Sequence, residues 1–367
     1  MRINYRRRWA GVRRALREAD ADAFVAVAAA NTRWLASAES PPGSPPSSTL
    51  NYVVVPQRGA PTGITSSLEG HRCQKEAGVK DLRLWSGYPD VGAEHTSAKA
   101  ALKSLLEEKE AKSVLTDQTL RLQRGISVQN STAVRDLRAC KAPDELERIR
   151  IAVRHADAGQ RFAHELCEAG AELTEYEVAA EIDYFLRRRG VQETSFTTII
   201  ASGSNAAFSH HSPGRRRLRD GDPVICDFGV FWKGYCSDIT RTYFVGGNPT
   251  SKWRQRYAMV LDANQRSQNA LRHGAVAQDV DGAGRNFLGR NGVGKHFVHG
   301  TGHGFGHEIH EWPSITYGQK TVLQQGMTVT IEPGLYFPRQ GGIRIEDDML
   351  VTRSGSETLT HSAKALY

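Results

Sequence analysis

The chain contains one nine-residue pattern twice, as GDPVICDFG at residues 221–229 and as GMTVTIEPG at residues 326–334. Both copies begin and end with Gly, carry Val in the fourth place and carry an acid, Asp227 or Glu332, in the seventh. A strand-like run with another acid follows each copy: Asp238 in CSDITRTYFV and Glu346 in GIRIEDDMLV. Strand, turn and strand at this spacing predict two β-hairpins that gather four carboxylates.

Carboxylates that share a buried site repel one another and resist ionisation unless a cation lies between them. Acids beside a single hairpin are more often solvated turn residues. Here Asp227 continues the run 224–226 and Glu332 continues the run 329–331, and both runs have the character of buried strands. The four carboxylates therefore favour a site for two divalent ions.

Length and composition limit the class of protein. The 367 residues are enough for two domains. The five cysteines are odd in number and lack C-x-x-C spacing, which favours free thiols in a reducing cytoplasm. The N-terminal stretch lacks the apolar core of a signal peptide, and no apolar run approaches the roughly 20 residues that cross a bilayer. We therefore expect a cytoplasmic protein with no membrane partner.

The formal net charge of +8 and the pI of about 9.3 raise nucleic-acid binding as an alternative. Arginines concentrate in the first helix and in the loop 215–219. Neither cluster is interleaved with aromatic residues in the manner of an RNA-binding surface, and no DNA-reading motif is visible. Solvated charged faces are the favoured interpretation, and we expect no nucleic-acid partner.

Two domains are predicted, 1–137 and 138–367. The first alternates helix and strand, with strand-like runs at 23–27 and 52–55 and a Pro-, Ser- and Gly-rich loop at 37–49. This pattern predicts a small α/β domain without evident chemistry of its own.

The second domain begins with helices. Pro143 opens a long amphipathic helix, and a second helix begins at the capping box Thr174–Glu177 and stops at Gly190. Because each acidic hairpin is preceded by helices, the sequence predicts a pseudo-twofold α/β domain with an active site on its pseudo-axis.

Histidines and glycines alternate between the two hairpins, in VHGTGHGFGHEIHEWP at residues 298–313. Each glycine would cost a helix about 1 kcal/mol, so a helical zinc site is not predicted, and His307 to His310 is one residue short of H-E-x-x-H. An extended strand is predicted instead, on which one histidine ligates metal and others face the substrate. His303 is the favoured ligand, whereas for His307 and His273 an ordinary polar role is an equal alternative.

The segments ICDFG, CSDITRT, HGTGHGFGHEIHE, TIEPG and GGIRIEDD resemble, in order and spacing, the metallopeptidases of the pita-bread fold, in the branch of prolidases and aminopeptidases P. The resemblance covers residues 138–367 and implies a pseudo-twofold pita-bread catalytic α+β domain. Residues 1–137 resemble, through NTRWL, the small creatinase-like N-terminal α/β domain that precedes it. The metal ligands that the resemblance implies are Asp227, Asp238, His303, Glu332 and Glu346.

The resemblance also implies residues that contact the substrate. They are His210, His299, His310, Tyr336 and Arg344. His211 stands directly beside His210 in AFSHH and is the alternative to it.

The implied activity is hydrolysis of the Xaa-Pro bond at the N-terminus of dipeptides or short peptides by a metal-bridging hydroxide. In this hypothesis Glu332 takes the proton and His310 helps the metal to stabilise the oxyanion. His210, His299 and Arg344 hold the proline residue or its carboxylate. The oxygen-rich ligand set suits two Mn²⁺ ions, which the resemblance favours, and also admits Co²⁺, Zn²⁺ or Fe²⁺. The resemblance further implies a homodimer.

Other functions stay open at this stage. An Xaa-Pro dipeptidase is favoured over an aminopeptidase P acting on longer peptides, since the arginines at 215–219 or the Pro-rich loop at 40–48 could close the pocket behind a dipeptide. A metal-dependent non-peptidase hydrolase or lyase of the same fold is a further alternative. A metal-free homologue or scaffold is disfavoured because all five ligand positions are kept.

Overall fold

The computed structural model describes residues 3–36, 50–169, 173–364 and 366. They divide into two compact units, Met1–Arg138 and Ala139–Tyr367. The Pro-rich loop at 40–48, considered above as a cover for the pocket, lies outside the described residues.

The first unit is a six-stranded sheet with helices packed on both faces. Its strands are β1 (Ala23–Ala26), β2 (Tyr52–Pro56), β3 (Thr62–Ser66), β4 (Asp81–Trp85), β5 (Ser113–Thr116) and β6 (Ser127–Asn130), and its helices are α1 (Tyr5–Glu18), α2 (Ala29–Ala36), α3 (Ser67–Glu76), α4 (Ala98–Glu108) and α5 (Ala133–Ala139). The strand order is β4-β3-β2-β1-β5-β6. Because side chains alternate along a strand, Phe24 and the next residue, Val25, enter two different cores.

The first helix does not expose all of its arginines to solvent. Arg8 is only 2% exposed, donates to the carbonyl oxygen of Trp34 and lies 4.9 Å from the centroid of the Trp34 ring. Its side chain therefore contributes to packing by a cation–π contact. Arg7, Arg14 and Arg17 are exposed, as a solvated face requires.

The second unit has two halves of similar construction, each a pair of helices followed by strands. The first half contains α6 (Pro143–Glu168), α7 (Glu175–Arg188), β7 (Glu193–Thr194), β8 (Ile199–Ser202), β9 (Pro223–Phe228), β10 (Val230–Trp232), β11 (Tyr235–Cys236) and β12 (Ile239–Phe244). The second half contains α8 (Ser251–Ala270), α9 (Ala277–Arg290), β13 (Gly302–Gly304), β14 (Glu311–Ile315), β15 (Thr328–Ile331), β16 (Gly334–Phe337), β17 (Gly341–Arg344), β18 (Asp347–Val351) and β19 (Ser356–Thr358). Helices α6 and α7 pack on the strands of the first half in one core, which includes Ile182 and Phe228.

The predicted helix signals are confirmed. Pro143 opens α6, and the hydroxyl of Thr174 accepts from the backbone N–H of Glu177 while the Glu177 carboxylate accepts from the N–H of Thr174. This reciprocal capping satisfies donors at the start of α7 that have no partner within the helix. Gly190, with φ of +86°, follows the end of that helix.

Each acidic hairpin is more elaborate than the simple strand, turn and strand that the sequence predicts. Strand β9 pairs with β12, but the residues between them form a separate smaller hairpin, β10 with β11. The second half repeats this plan, with β15 paired to β18 and a separate hairpin of β16 and β17 between them. At the first junction Gly229 is required, because a Cβ there would lie 1.8 Å from the carbonyl oxygen of Ser237.

The glycine-rich segment between the two acidic hairpins is extended, as predicted. Strand β13 lies between β14 and β15, in the sheet β14-β13-β15-β18-β19. A Cβ on Gly302 would lie 1.9 Å from the carbonyl oxygen of Thr330, and one on Gly304 would lie 2.7 Å from that of Trp312. The glycines thus let neighbouring backbones approach His303 closely.

Two further findings concern cysteines and helix hydropathy. All five cysteines are free thiols. Among the helices that the structure describes, none combines the length and the apolar character needed to span a bilayer.

Candidate metal centre and active-site cavity

A cavity of about 280 Å³ in the second unit takes residues from both halves. All the side chains that the sequence analysis predicted to bind metal or substrate line this cavity: Asp227, Asp238, His303, Glu332, Glu346, His210, His299, His310, Tyr336 and Arg344. The fold therefore brings together residues from several separate segments of the chain.

The paired strands deliver the acidic side chains. Asp227 lies in β9, and Asp238 immediately precedes β12, the partner of that strand. Glu332 follows β15, and Glu346 precedes β18, which pairs with β15. His303 comes from β13 on the other side of β15. Equivalent places in the two halves thus supply two carboxylates each, and the glycine-rich strand supplies the imidazole.

Three of these residues approach one another closely enough to share an ion. Ligand atoms of Asp238, His303 and Glu346 all lie within 4.8 Å of one another. Nε2 of His303 is 3.7 Å from Oδ2 of Asp238 and 3.3 Å from Oε1 of Glu332. Asp227, Asp238 and Glu346 are buried, as a strand-end position implies, whereas Glu332 is only partly buried.

Burial and mutual repulsion perturb these groups. Burial raises the pKa of Asp238 and of Glu346 well above the usual carboxyl value, and the neighbouring carboxylates raise both further. Burial likewise raises the pKa of Asp227. Although burial alone would raise the pKa of Glu332, a hydrogen bond and positive charge from His303 lower it to about 2. A divalent cation would relieve the repulsion among these acids.

Several buried carboxylate oxygens have no hydrogen-bond partner within the described part of the chain. They include Oδ1 of Asp227, Oδ1 of Asp238 and Oε1 of Glu346. Ionised oxygens of this kind are costly to bury unless they are paired or coordinate a metal. Carboxylates with a single imidazole make an oxygen-rich donor set that suits divalent first-row metals. The residues present therefore fit a metal centre.

Arg344 is held by protein atoms around the cavity. Its Nη2 donates to Oδ2 of Asp227, its Nη1 donates to the hydroxyl of Tyr336 at 2.8 Å and to the carbonyl oxygen of Ser209 at 3.3 Å, and its Nε donates to Thr240 at 3.1 Å. Most of its donors are thus used within the protein, where it contacts Asp227 and Tyr336, and it also lines the cavity. That this guanidinium holds a substrate carboxylate stays a prediction.

His299 is fixed at both ring nitrogens. Nδ1 is 2.7 Å from the carbonyl oxygen of Gly300, to which it donates, and Nε2 is 2.9 Å from the hydroxyl of Tyr336. Because Nδ1 carries the proton of the neutral ring, Nε2 is an acceptor and the Tyr336 hydroxyl donates to it. Burial lowers the pKa of His299, so that its ring is neutral at neutral pH.

The remaining cavity histidines lie in loops. The His310 ring centroid is 4.4 Å from that of His303, and burial together with the charge of His303 lowers the pKa of His310. His210 lines the cavity, whereas Nε2 of its neighbour His211 lies 2.8 Å from the buried carboxylate of Glu175. The structure thus distinguishes the two adjacent histidines by position.

Sequence reasoning missed side chains that hold the candidate ligands. Thr240 donates to Oε2 of Glu346 at 2.6 Å, and the carboxylate of Asp348 accepts from the N–H of Asp238 at 3.0 Å. The hydroxyl of Thr330 accepts from the N–H of His303. Thr240 and Thr330 were each two residues from a candidate ligand, and the two-residue period of a strand was a usable signal that they share its face.

Other residues considered from the sequence lie elsewhere. His307 is 5% exposed, with its ring centroid 4.3 Å from that of Tyr235, and His273 accepts from the N–H of Gln325. None of the arginines at 215–219 is among the described residues that line the cavity. Its apolar part comes instead from Phe196, Ile199 and Ile309, which the sequence did not suggest.

Comparison with known proteins agrees with this geometry. The model of a family described as metallopeptidase family M24 matches residues 147–353, more than half of the chain. A protein of Pyrococcus furiosus named Xaa-Pro dipeptidase is 41% identical over 233 residues. That alignment spans 64% of this chain and 66% of the relative, just under two thirds of the relative's length.

Solved structures are similar over nearly the whole chain. The structure of an Xaa-Pro dipeptidase from Bacillus anthracis has a TM-score of 0.86 at 31% identity and covers 99% of both chains. The structure of an X-Pro aminopeptidase from Thermotoga maritima has a TM-score of 0.85 at 25% identity, covering 98% of this chain and 99% of the other. The similarity thus extends over the smaller first unit as well as the second.

Proposed function

This chain belongs to metallopeptidase family M24, and from that premise we propose that it is an Xaa-Pro dipeptidase. It hydrolyses the bond between an N-terminal residue and proline in dipeptides or short peptides. The observation that carries the proposal is the convergence of all the nominated metal and substrate residues on one small cavity. Similarity to proteins named Xaa-Pro dipeptidase supports this choice of substrate.

The metal-holding residues in this proposal are Asp227, Asp238, His303, Glu332 and Glu346. They would hold two divalent ions, and Mn²⁺ is the proposed native metal because four carboxylates and one imidazole form a hard, oxygen-rich set. Co²⁺, Zn²⁺ and Fe²⁺ can use the same donors. When bound, such ions supply Lewis acidity, which polarises a carbonyl oxygen and lowers the pKa of water.

Glu332 is the proposed general base. Its side chain lines the cavity and is more exposed than the buried acids beside it. An ionised carboxylate that borders the cavity can accept the proton that water loses as it attacks the carbonyl carbon. The same side chain thereby combines metal holding with proton transfer.

The cavity histidines have different proposed tasks. His310, whose pKa is lowered, is neutral at neutral pH and can donate an N–H to the carbonyl oxygen as negative charge develops on it. His299, with its ring fixed by Gly300 and Tyr336, and His210 orient the substrate from the cavity wall. Arg344 acts through Asp227, which it orients.

The apolar part of the cavity wall offers a means of recognising proline in a peptide. Proline offers no N–H for strand pairing, so recognition depends on the shape of a pocket. Phe196, Ile199 and Ile309 supply apolar surface beside the histidines for the pyrrolidine ring or for the preceding side chain.

The direct test is hydrolysis of matched dipeptides by the metal-loaded protein. Xaa-Pro should be cleaved and Xaa-Ala should be cleaved far more slowly, and Asp238→Asn should abolish cleavage while the exposed control Asp279→Asn should not. Metal content of the same samples is measured in parallel. Metal binding without Xaa-Pro cleavage would point to a non-peptidase of the same fold, and full activity of Asp238→Asn would refute the site.

An aminopeptidase P activity on longer peptides is the second candidate, favoured by the similarity to the X-Pro aminopeptidase. The two activities differ in whether the cavity must admit chain beyond proline. Comparing kcat/KM for Xaa-Pro with that for Xaa-Pro-Xaa decides between them.

We also propose that the chain acts as a homodimer in the cytoplasm. The five free thiols support a reducing compartment. Light scattering coupled to size exclusion measures the oligomeric state directly, and a monomeric mass at working concentration would contradict the dimer.

A further inference from the structure

Two charged residues of α9 bind the backbone that carries His299. Asp281 and Arg285 are four residues apart and so lie on the same helix face. Nε of Arg285 is 2.7 Å from Oδ2 of Asp281, and Nη2 is 2.9 Å from Oδ1. Asp281 is 1% exposed, and neither residue is among the described residues that line the cavity. Asp281 is therefore buried and Arg285 partly exposed, and neither borders the cavity proposed for the substrate.

Arg285 reaches two carbonyl groups beyond its ion pair. Nη1 donates to the carbonyl oxygen of Phe297 at 3.1 Å, and Nη2 donates to that of His299 at 2.5 Å. The guanidinium also lies 4.1 Å from the centroid of the Phe297 ring. A planar guanidinium can satisfy a carboxylate and two carbonyls at once, which the single ammonium of lysine cannot do in the same geometry.

Asp281 fixes the residues that follow. Its Oδ1 accepts from the backbone N–H of Thr301 at 3.1 Å and from the Thr301 hydroxyl at 2.8 Å. The carbonyl oxygen of Thr301 in turn accepts from the N–H of Glu332 at 2.7 Å. The ion pair is thus linked to His299 on one side and to the backbone of a candidate metal ligand on the other.

This segment needs such support because it lacks regular structure. Strand β13 begins only at Gly302, so residues 297–301 are outside the sheet ladder. Backbone groups that no strand partner satisfies must find other partners when buried. Here the two side chains of α9 take the place of a neighbouring strand.

We propose that Asp281 and Arg285 are positioning residues for the peptidase reaction, which together hold backbone 297–301 so that the His299 ring keeps its place in the cavity beside Tyr336. The kinetic part of this inference rests on the proposed Xaa-Pro peptidase function. Arg285 acts on the backbone of His299 directly and Asp281 through Arg285 and Thr301, and neither contacts the reacting atoms.

The first experiment compares Arg285→Lys and Asp281→Asn with two controls on the same helix, Arg290→Lys and Asp279→Asn, whose side chains are exposed. Misplacement of a substrate-orienting group by about 1 Å can cost up to about a hundredfold in rate. We expect kcat/KM on an Xaa-Pro dipeptide to fall roughly 10- to 100-fold in the two test variants. The controls should stay at the wild-type value, and wild-type kcat/KM in both test variants would overturn the inference.

A double-mutant cycle separates positioning from a general structural role. If Arg285 acts through His299, Arg285→Lys should have almost no further effect on kcat/KM in a His299→Ala background. Full additivity of the two losses would overturn the proposal. Thermal unfolding of every variant is measured alongside. Thr301→Ser keeps the hydroxyl that donates to Asp281 and should preserve activity, whereas Thr301→Val removes it and should lose activity.

A spectroscopic readout does not depend on activity. In protein labelled with ¹⁵N-histidine, the His299 ring nitrogens, assigned with His299→Ala, should report a proton on Nδ1. Arg285→Lys should shift these signals, and Arg290→Lys should leave them unchanged. Unshifted signals in Arg285→Lys would refute the positioning role. If the wild type cleaves no Xaa-Pro substrate, the proposed function fails, but these signals still decide the role of Arg285.

Discussion

The buried guanidinium of Arg344, from the second half of the catalytic unit, donates a hydrogen bond to Oδ2 of Asp227, from the first half. This contact uses one oxygen of the Asp227 carboxylate and leaves Oδ1 without a donor among the described residues. A side chain that orients a ligand in this way controls which oxygen a cation meets.

Replacing Arg344 should weaken metal binding. Burial raises the pKa of Asp227 and the charge of Arg344 opposes that rise, so Arg344→Met raises the Asp227 pKa further and favours the protonated acid. We expect Mn²⁺ affinity, measured by titration calorimetry, to fall roughly 10- to 100-fold, with a larger loss at lower pH. Arg353→Met, at an exposed position, is the control. Unchanged affinity in Arg344→Met would show that the contact does not orient Asp227.

Metal removal should reverse the pH dependence of stability. The folded-state pKa values of Asp238 and Glu346 are raised, so the folded protein binds protons that the unfolded chain has released. Stability of the metal-free protein must then fall as pH rises from the ordinary carboxyl pKa through the raised values. Bound metal requires ionised ligands and should reverse that trend.

The measurement is Tm by calorimetry across this pH window, with chelator and with excess Mn²⁺. Asp238→Asn removes one of the two perturbed carboxyls and should flatten the chelator curve. A Tm of the chelated wild type that rises with pH through the window would contradict the electrostatic account.

The adjacent histidines His210 and His211 should respond differently to substitution. His210→Ala should lower kcat/KM about 10-fold or more with little change in Tm, because the ring lines the cavity. His211→Ala removes a hydrogen bond to the buried Glu175 and should cost about 1–3 kcal/mol in the free energy of unfolding. Kinetics and urea unfolding of both variants provide the check, and the opposite pattern would exchange their assignments.

The candidate site could be predicted because its residues lie in short segments whose spacing is set by local structure. Asp227 and Asp238 flank paired strands, and the glycines around His303 exclude a helix, so the chain itself predicts which side chains converge. Burial of Asp227 followed from the apolar residues before it. The separate smaller hairpin that lies between the paired strands of each half could not be predicted. In the first half it depends on the close approach of Gly229 to Ser237 in three dimensions.

The supporting residues escaped prediction for a related reason. Asp281 and Arg285 look like an ordinary surface ion pair on a helix, and only tertiary contact with residues 297–301 gives them a role. Arg344 was predicted as a site residue, but its hydrogen bond to Asp227 was not, because Asp227 is distant in sequence. Local patterns identify ligands, whereas the side chains that orient them depend on the whole fold.

The buried ion pair of Lys141 and Glu311 should be required for stability and for the placement of His310. Nζ of Lys141 lies 3.3 Å from Oε2 of Glu311, and the two side chains are 2% and 4% exposed. Oε1 of Glu311 accepts from the N–H of Glu308, in the loop that carries His310. Lys141→Met removes the cation beside a buried carboxylate and should cost about 3–5 kcal/mol in the free energy of unfolding. Lys141→Met combined with Glu311→Gln should recover much of that stability, because no uncompensated charge remains. Urea unfolding followed by tryptophan fluorescence measures both, with the exposed Lys320→Met as the control. A double variant no more stable than Lys141→Met would mean that loop packing, rather than charge compensation, accounts for the loss.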